Sequence, residues 1–421
     1  MSIPFEMNSL QWHMQRDSRS LRLFTVEPHA YEPEKHSAIL FSIVTRLKSN
    51  TEESYGTKVN ILPASSFDLL VFPEVFLCSA DLITLVNSLR SAGPTGCIHT
   101  GIRPDSSERF LFARDEVLKL SEDLIKAGAR PDDLCRFSNW LINQKKNTHF
   151  NLGAVIAVDV DSKVRITLHP KVLRSKFELS AFPDSNMTEA KFLTLITLIP
   201  SEPSLLPITL QPLLCSDALI HDTDYPGTRP IDAISRYGNS FNNTIPDHID
   251  IISLATCSPH TPSKDFPLWH IDFREGFLRM AKHDNNLRHR HAIIVMANFL
   301  QIPDNPRFGG LSGAFLPIPL HINRQPKSVV ACQYATAENS HDPAWHINDV
   351  VVSKKLAHMI CLKYPKILNS STVTLLGFDL HRVLKEANHY NPSHGLLNYE
   401  ILVGTTQPDG TIYFHEITND I

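Results

Sequence analysis

The sequence predicts an α/β protein in which helices cover packed β-sheets, and three kinds of pattern support this fold class. Short apolar runs that end at proline or at a polar residue are typical of buried strands. Segments with apolar residues three and four positions apart are typical of amphipathic helices. Antiparallel hairpins occur together with helix–strand alternation, and a layered α/β sandwich buries the apolar faces of both.

The predicted elements follow in chain order from these patterns. Residues 34–47 place apolar side chains at helical spacing, and residues 67–72 form an apolar run that ends at Pro73. Residues 153–158 and 164–168 form a hairpin around a polar turn at 159–163. Strands are predicted at 21–26, 67–72, 97–102, 153–158, 164–168, 192–198, 208–214, 249–254, 292–297, 372–378, 399–404 and 411–415. Helices are predicted at 34–47, 80–92, 108–128, 273–289, 353–364 and 380–387, and a long polar loop at 221–248.

Composition excludes several classes of protein. The chain has 421 residues, 40 Lys and Arg against 44 Asp and Glu, and a net charge of −4, which argues against a general nucleic-acid binder. No apolar run reaches the roughly 18 residues of a membrane span, and residues 1–16 show no signal-peptide core. The seven cysteines stand singly, without a Cys-x-x-Cys pair, so neither a disulfide framework nor a structural zinc site is expected. We expect a cytoplasmic protein without a cofactor.

Three polar residues end buried strands and form a candidate catalytic set. Glu74 follows residues 67–73, Lys171 follows 164–170 and Cys215 follows 208–214. Sites of α/β sheets form at the carboxyl ends of strands. A carboxylate can accept the proton of a thiol as the thiol attacks, and an ammonium stabilises both a thiolate and an oxyanion. The three residue types therefore predict nucleophilic catalysis without a metal.

Six motifs occur in an order that resembles the nitrilase, or carbon–nitrogen hydrolase, superfamily. They cover roughly residues 18–350 and consist of 68–74 ending in Glu74, the hairpin 151–171 ending in Lys171, Glu178, the turn 214–217 with Cys215, the strand 292–298 ending in Asn298, and 309–315 with Ser312. The resemblance implies a four-layer αββα sandwich that pairs into a homodimer or higher homo-oligomer.

The resemblance also implies roles for residues. Cys215 would attack the carbon of a small carboxamide and form a thioester acyl-enzyme, with Glu74 as general base. Lys171 would stabilise the tetrahedral intermediate with the backbone N–H of Ser216, and Glu178 would hold Lys171 and position the substrate or water. We assign Ser216, Asp217, Cys257 and Trp269 to substrate binding, although Asp217 fits a turn-stabilising role better than an acid role. The absence of a Cys-Trp-Glu signature favours amides over nitriles.

Two long segments, a C-terminal extension and four alternatives accompany this interpretation. The segments 105–148 and 219–248 are longer than the core of the superfamily needs, and residues 351–421 are a C-terminal extension that packs on or completes the domain formed by 1–350. Lys176 is an alternative to Lys171 as the catalytic lysine. Cys215 has the alternative role of a small apolar residue buried in the core. The chain is alternatively a degenerate binding or assembly module, or an acyltransferase that uses the same three residues.

Overall fold

The structure is a computed structural model. It describes residues 5–16, 20–48, 67–106, 108–174, 187–218, 234, 245–246, 248–257, 289, 292–302, 305–308, 312–317, 331–332, 347–348, 357–361, 371–382 and 394–416. These ranges include the strand ends at which Glu74, Lys171 and Cys215 stand.

Strands dominate the described ranges. In chain order they are β1 (Glu6–Met14), β2 (Ser20–Pro28), β3 (Leu69–Val71), β4 (Leu77–Cys78), β5 (Cys97–Arg103), β6 (Phe112–Ala113), β7 (His149–Phe150), β8 (Leu152–Val158), β9 (Val164–Pro170), β10 (Phe192–Pro200) and β11 (Ile208–Leu214). They continue with β12 (Ile251–Ala255), β13 (Ile293–Ala297), β14 (Gln301–Ile302), β15 (Asn305–Phe308), β16 (Gly313–Pro317), β17 (Ala331–Cys332), β18 (Ile347–Asn348), β19 (Ala357–Cys361), β20 (Ser371–Arg382), β21 (His394–Thr406) and β22 (Ile412–Glu416).

Two large sheets contain most of these strands. The seven-stranded sheet has the order β1-β10-β11-β12-β13-β16-β19, in which β11, β12 and β13 are parallel. The nine-stranded sheet has the order β22-β21-β20-β2-β3-β5-β8-β9, with β4 paired to β5, and its β2, β3 and β5 are parallel. Three small two-stranded sheets pair β6 with β7, β14 with β15, and β17 with β18.

Four helices lie within the described ranges: α1 (Pro33–Lys48), α2 (Ser79–Leu89), α3 (Arg114–Lys126) and α4 (Pro131–Ile142). In α2 the Cys78 Sγ accepts the N–H of Asp81, and in α3 Glu116 closes the first turn by accepting the N–H of Ala113. Each helix buries an apolar stripe in the same core layer. None of the helices described is long and apolar enough to cross a membrane.

Alternation along the strands produces two apolar layers. Leu69 and Val71 of β3 belong to the core between the two sheets, whereas Leu70 belongs to the core between the nine-stranded sheet and the helices. The core between the sheets also takes Trp12 from β1 and Leu210 from β11, so both sheets contribute to it. The described residues therefore form sheet on sheet with helices outside, in the mixed α/β class that the sequence predicts. The helix predicted at 273–289 lies outside the described residues, except His289.

Three predictions of secondary structure need correction. Residues 6–14 form β1, which the sequence pattern does not predict, and it is held by parallel pairing with β10 along its full length. Residues 357–361 form β19 rather than the predicted helix, because they pair antiparallel with β16. Residues 380–382 continue β20 rather than begin a helix, since β20 is paired on both sides, with β2 and β21. A short apolar run fits the spacing of a helix as well as that of a strand, and pairing with distant strands decides between the two.

Residues beyond 350 contribute strands to both sheets. β19 extends the seven-stranded sheet through β16, whereas β20 pairs with β2 in the nine-stranded sheet and is followed outwards by β21 and β22. The turn between β21 and β22 contains Gly410 at φ +82°, and Asp409 accepts the N–H of Thr411 at 2.9 Å. This is the hairpin predicted around residues 408–410.

Candidate active site

The candidate site lies at an edge where strands of both sheets end. β3 leads towards Glu74, β9 into Lys171, β11 into Cys215 and β12 towards Cys257. The N–H of Glu74 donates to the carbonyl oxygen of Thr256 at 3.2 Å, so the chain after β3 in one sheet meets the chain after β12 in the other. The double sheet thereby brings together residues that are far apart in the sequence.

The backbone at Glu74 is tightly constrained. Val75 adopts a left-handed conformation with φ +54°, which is uncommon for a β-branched residue. The N–H of Gly101 donates to the carbonyl oxygen of Pro73 at 3.0 Å. A Cβ atom on Gly101 would lie 2.3 Å from the Cα of Glu74, so only glycine allows β5 to approach this closely. The turn after β3 thus fixes where the Glu74 side chain begins.

The carboxylate of Glu74 is held by three donors. Its Oε1 accepts from Lys171 Nζ at 2.9 Å and from Asn151 Nδ2 at 2.8 Å. Its Oε2 accepts from the backbone N–H of Cys257 at 3.2 Å. Lys171 is 1% exposed and Glu74 is 4% exposed. A buried charge pair tolerates its desolvation only when hydrogen bonds complete it, and here they do.

Lys171 owes its position to the hairpin that precedes it. β8 and β9 pair antiparallel from Val158 and Val164 up to Leu152 and Pro170. The N–H of Lys171 then donates to the carbonyl oxygen of Asn151 at 2.8 Å, which continues the ladder by one step. Register therefore sets Asn151 beside Lys171, and both side chains reach the same oxygen of Glu74.

Cys215 begins a tight turn directly after β11. It has φ +39°, is 7% exposed, and is the first residue of the 3-10 helix Cys215–Ala218. A strand that turns this sharply presents the side chain at the turn, as in the nucleophile elbow of hydrolases. A non-glycine residue in this conformation is strained, and such strain clusters at functional sites.

Asp217 and Ser216 tie this turn to the backbone after Lys171. The Asp217 carboxylate accepts the N–H of Val172 at 3.0 Å and of Leu173 at 2.8 Å. Ser216 Oγ donates to the carbonyl oxygen of Leu173 at 2.6 Å. The segment with the thiol is thus bound to the segment with the ammonium, in agreement with the turn-stabilising role expected of Asp217.

Electrostatics at Asp217 are dominated by burial. Burial raises the pKa of its carboxyl from 3.8 to about 7, although the N–H of Leu173 and the positive charge of Lys171 lower it. Lys171 therefore lies within electrostatic reach of both Glu74 and Asp217. The ammonium of Lys171 thus acts on two buried acids, Glu74 and Asp217, which come from two different motifs of the sequence.

A buried histidine pair lies behind these residues, between the sheets. Nε2 of His99 is 3.0 Å from Nε2 of His169, and Nδ1 of His99 is 2.6 Å from Oγ of Ser253. Burial lowers the pKa of His169 to about 3 and that of His99 well below 6.5. Both rings are therefore neutral at physiological pH, and a ring N–H of one donates to the bare ring nitrogen of the other. It links β5, β9 and β12 just below the edge where Glu74 and Lys171 lie.

A second polar bridge connects β2 to the end of β13. Asn298 donates its N–H to Ser312 Oγ at 3.0 Å, and Ser312 donates its N–H to Oε2 of Glu27 at 3.2 Å. Burial raises the pKa of Glu27 from 4.5 to about 7. Asn298 and Ser312, two of the motif residues, thus join the sheets at the same edge.

The structure brings most of the predicted residues together. Glu74 and Lys171 are in direct contact, and the turn with Cys215, Ser216 and Asp217 is bound to the residues after Lys171. Cys257 contributes its backbone N–H to Glu74. Two predicted residues, Glu178 and Trp269, lie outside the described residues.

Asn151 is the site residue that sequence reasoning missed. The sequence marks it only as the first residue of the hairpin motif 151–171, although an asparagine between a polar loop and an apolar strand is a signal for a buried hydrogen-bonding role. It is 3% exposed and bonds Glu74 directly.

Comparisons with known proteins give low similarities. No family model matches the sequence, and no curated protein matches it significantly. The chain is similar to a solved N-terminal amidase, with 9% identity, TM-score 0.32, and coverage of 62% of this chain and 54% of that one. It is similar to a carbon–nitrogen hydrolase from Helicobacter pylori G27, with 10% identity, TM-score 0.38, and coverage of 70% and 82%. It is also similar to a glutamine-dependent NAD(+) synthetase from Cytophaga hutchinsonii, with 10% identity, TM-score 0.33, and coverage of 70% and 39%. At these values the chain's function has to be inferred from its own residues.

Proposed function

We propose that the chain is a thiol amidohydrolase that acts on a small carboxamide. The observation that supports this most directly is the buried contact between Lys171 Nζ and Glu74 Oε1 at 2.9 Å, together with the binding of the Cys215 turn to Val172 and Leu173. A nucleophile, a base and a cation at one strand edge are the parts that acyl transfer through a cysteine needs.

The proposed first half-reaction transfers the acyl group to sulfur. Cys215 Sγ attacks the carbonyl carbon while the Glu74 carboxylate takes the thiol proton. The carbonyl oxygen becomes negative and is stabilised by the Lys171 ammonium and the N–H of Ser216. The tetrahedral intermediate collapses, the C–N bond breaks, and Glu74 returns the proton to the leaving nitrogen. Ammonia or an amine departs and a thioester remains on Cys215.

The second half-reaction restores the thiol. Glu74 takes a proton from water, the resulting oxygen nucleophile attacks the thioester, and the C–S bond breaks. The proton returns to sulfur and a carboxylic acid is released. Net consumption is one amide and one water, and no redox step is involved.

Mass spectrometry of the intact protein tests this proposal. The full chain is incubated with a panel of small amides, with Cys215→Ala and Cys135→Ala as matched variants, since Cys135 is exposed on α4. We expect an acyl adduct on the wild type and on Cys135→Ala, and none on Cys215→Ala. An adduct that persists in Cys215→Ala refutes the assigned nucleophile.

Thiol labelling and product analysis separate the alternatives. A live site makes Cys215 react faster with iodoacetamide than Cys78, Cys97 and Cys257, whereas uniformly slow labelling favours a binding module. Products formed in the presence of hydroxylamine distinguish hydrolysis from acyl transfer, because a transferase converts the acyl group to the hydroxamate in preference to the acid.

A further inference from the structure

Arg103 at the end of β5 is a buried cation without a counter-charge among the described residues. It is 4% exposed, its NH1 donates to the carbonyl oxygen of Pro104 at 3.2 Å, and its Nε has no hydrogen-bond partner in the part of the chain that the structure describes. No carboxylate of the described ranges forms an ion pair with it. Buried guanidinium groups are normally paired, because the desolvated charge is costly when alone.

The acidic residues nearest to Arg103 along the fold are bound elsewhere. Asp105 accepts the N–H of Ala80 at 2.8 Å and the hydroxyl of Ser79 at 3.0 Å at the start of α2. Asp81 accepts from Ser37 Oγ at 3.0 Å and from Cys78 Sγ at 3.1 Å. Within the described ranges, neither acid forms an ion pair with Arg103.

The strand places Arg103 on the same side as the catalytic glutamate. Alternate residues of β5 face the core between the sheets, where Cys97 packs, His99 bonds Ser253 and Gly101 lies against Glu74. Arg103 is the next residue on that face, about 7 Å beyond Gly101. It therefore lies at the edge where β3 and β12 end.

Tyr31 and His36 lie within electrostatic reach of this guanidinium, and each carries a buried polar atom. Their rings are 5.3 Å apart at 75°, and the Tyr31 hydroxyl and Nε2 of His36 are buried with no hydrogen-bond partner in the described part of the chain. Nδ1 of His36 is 2.7 Å from the carbonyl oxygen of Phe76, so it carries the proton and donates. Phe299 closes the cluster, with its ring 5.4 Å from that of Tyr31.

Charge effects agree that these groups are neighbours. Burial and, to a smaller extent, the charge of Arg103 lower the pKa of His36 to about 3, although the hydrogen bond to Phe76 raises it. Burial raises the pKa of the Tyr31 hydroxyl, which keeps it a donor, while Arg103 lowers it and Cys257 raises it. Tyr31 is thus within electrostatic reach of both Arg103 and Cys257, and the N–H of Cys257 bonds Glu74.

We propose that Arg103 and the Tyr31 hydroxyl bind a carboxylate of the substrate, so that the substrate is a carboxamide that also carries a carboxylate. A planar guanidinium fork matches a carboxylate in a bidentate manner, and an aromatic wall excludes water from the pair. The inference rests on the proposed function, since the amide end of the same molecule has to reach Cys215.

Binding to the full-length Cys215→Ala protein tests the subsite apart from chemistry. The probes are succinamate, glutaramate and adipamate, each compared by isothermal titration calorimetry with the neutral unbranched amide of equal chain length. We expect at least one carboxylate probe to bind about 10-fold or more tighter than its neutral partner. If every carboxylate probe binds with the same affinity as its neutral partner, the proposal is overturned, and no Arg103 variant is needed for that result.

Variants in the same background locate the effect. Arg103→Met is expected to weaken the preferred carboxylate probe by roughly 10- to 100-fold, Arg103→Lys to retain part of the affinity, and Tyr31→Phe to lose several-fold. Arg136→Met, on the exposed side of α4, is the matched control and leaves the affinity unchanged. Circular dichroism identifies any unfolded variant. If a variant is unfolded, the comparison of carboxylate and neutral probes on the Cys215→Ala protein decides whether the subsite exists. Full affinity in a folded Arg103→Met protein refutes the assignment.

Two further outcomes separate this inference from the proposed function. If neutral amides acylate Cys215 as well as the carboxylate amides do, the thiol amidohydrolase stands and the subsite fails. If no amide forms an adduct but Arg103→Met abolishes carboxylate binding, the subsite stands and the catalytic proposal fails. Inorganic phosphate that binds more tightly than every carboxylate probe assigns the subsite to phosphate and overturns the proposal.

Discussion

Gly101 lies against Glu74 so closely that any side chain at position 101 would enter the backbone of the glutamate. A Cβ atom there would lie 2.3 Å from the Cα of Glu74 and 2.4 Å from the N atom of Val75. Both neighbours are backbone atoms, which cannot rotate away as a flexible side chain would. The approach of β5 to the turn after β3 therefore sets the position of the Glu74 carboxylate.

Gly101→Ala is expected to displace Glu74 and to abolish acylation of Cys215. Overpacking typically costs about 1–3 kcal/mol, and contact with backbone places this variant at the upper end or beyond. Urea denaturation measures the stability and intact-mass spectrometry measures the acylation. Gly93→Ala is the control, because its Cβ would meet nothing within 4 Å. Equal stability of the two variants would show that β5 moves freely at this point.

Glu74→Gln is expected to impair both stability and turnover. The neutral amide leaves the Lys171 ammonium buried without its carboxylate, and breaking a buried pair typically costs about 3–5 kcal/mol. Loss of the general base lowers the rate by roughly 10²–10⁴-fold. Glu116→Gln removes the exposed pair with Arg109 and changes stability by about 1 kcal/mol or less. A Glu74→Gln protein with wild-type turnover contradicts the role of the carboxylate as base.

Asp217→Ala is expected to release the Cys215 turn. It removes the acceptor for the buried N–H groups of Val172 and Leu173, and each unsatisfied group costs about 1–3 kcal/mol. The rate of Cys215 labelling should change together with the stability, because the turn no longer has its anchor. Asp409→Ala removes a comparable turn acceptor in the exposed hairpin of β21 and β22 and should leave the labelling rate of Cys215 unaltered.

Glu27→Gln is expected to gain stability relative to the wild type as the pH rises. Burial raises the pKa of Glu27 in the folded state to about 7, against 4.5 as its ordinary value. The folded protein therefore holds a proton that the unfolded chain has lost, and stability decreases with pH through this window. The relative stability of Glu27→Gln should increase by about 2–3 kcal/mol from roughly pH 5 to pH 8.

Urea denaturation at both pH values gives this difference for Glu27. Glu6→Gln, an exposed change on β1, is the control and should show no such difference. Parallel stability curves for Glu27→Gln and the wild type would indicate that Glu27 is ionised in the folded state throughout.

His169→Gln is expected to make the protein less sensitive to acid. The unfolded chain binds a proton at this histidine near pH 6.5, whereas the folded protein does so only near pH 3, so stability is lost as the pH falls below 6.5. At about pH 5 that loss is about 2 kcal/mol, and the variant should not show it. The free energy of unfolding, measured by urea denaturation at about pH 5 and above pH 6.5, tests the prediction. His13→Gln, a change at an exposed histidine, is the control. An unchanged acid dependence would show that His169 is already protonated in the folded state in weak acid.

The sequence predicted helices and strands well where the spacing of apolar residues fitted only one of the two. The helix near 34–47, the hairpin of β8 and β9, and the strand before Cys215 agree with the structure. Glu74, Lys171 and Cys215 stood out as candidate site residues because a polar residue that ends a long apolar run has few structural reasons to be there. The prediction was wrong at 357–361, where a five-residue apolar stretch fits a helix as well as a strand.

Tertiary structure decided which polar groups face each other. The contacts of Asn151 with Glu74 and of His99 with His169 depend on register and on the packing of two sheets, which no local pattern encodes. The sequence by itself determined the helical or alternating spacing of apolar residues, the ends of the strands, and the types of residue that stand at those ends. Because contacts between residues far apart along the chain arise only when strands pair and sheets stack, the geometry of the site was set by the fold alone.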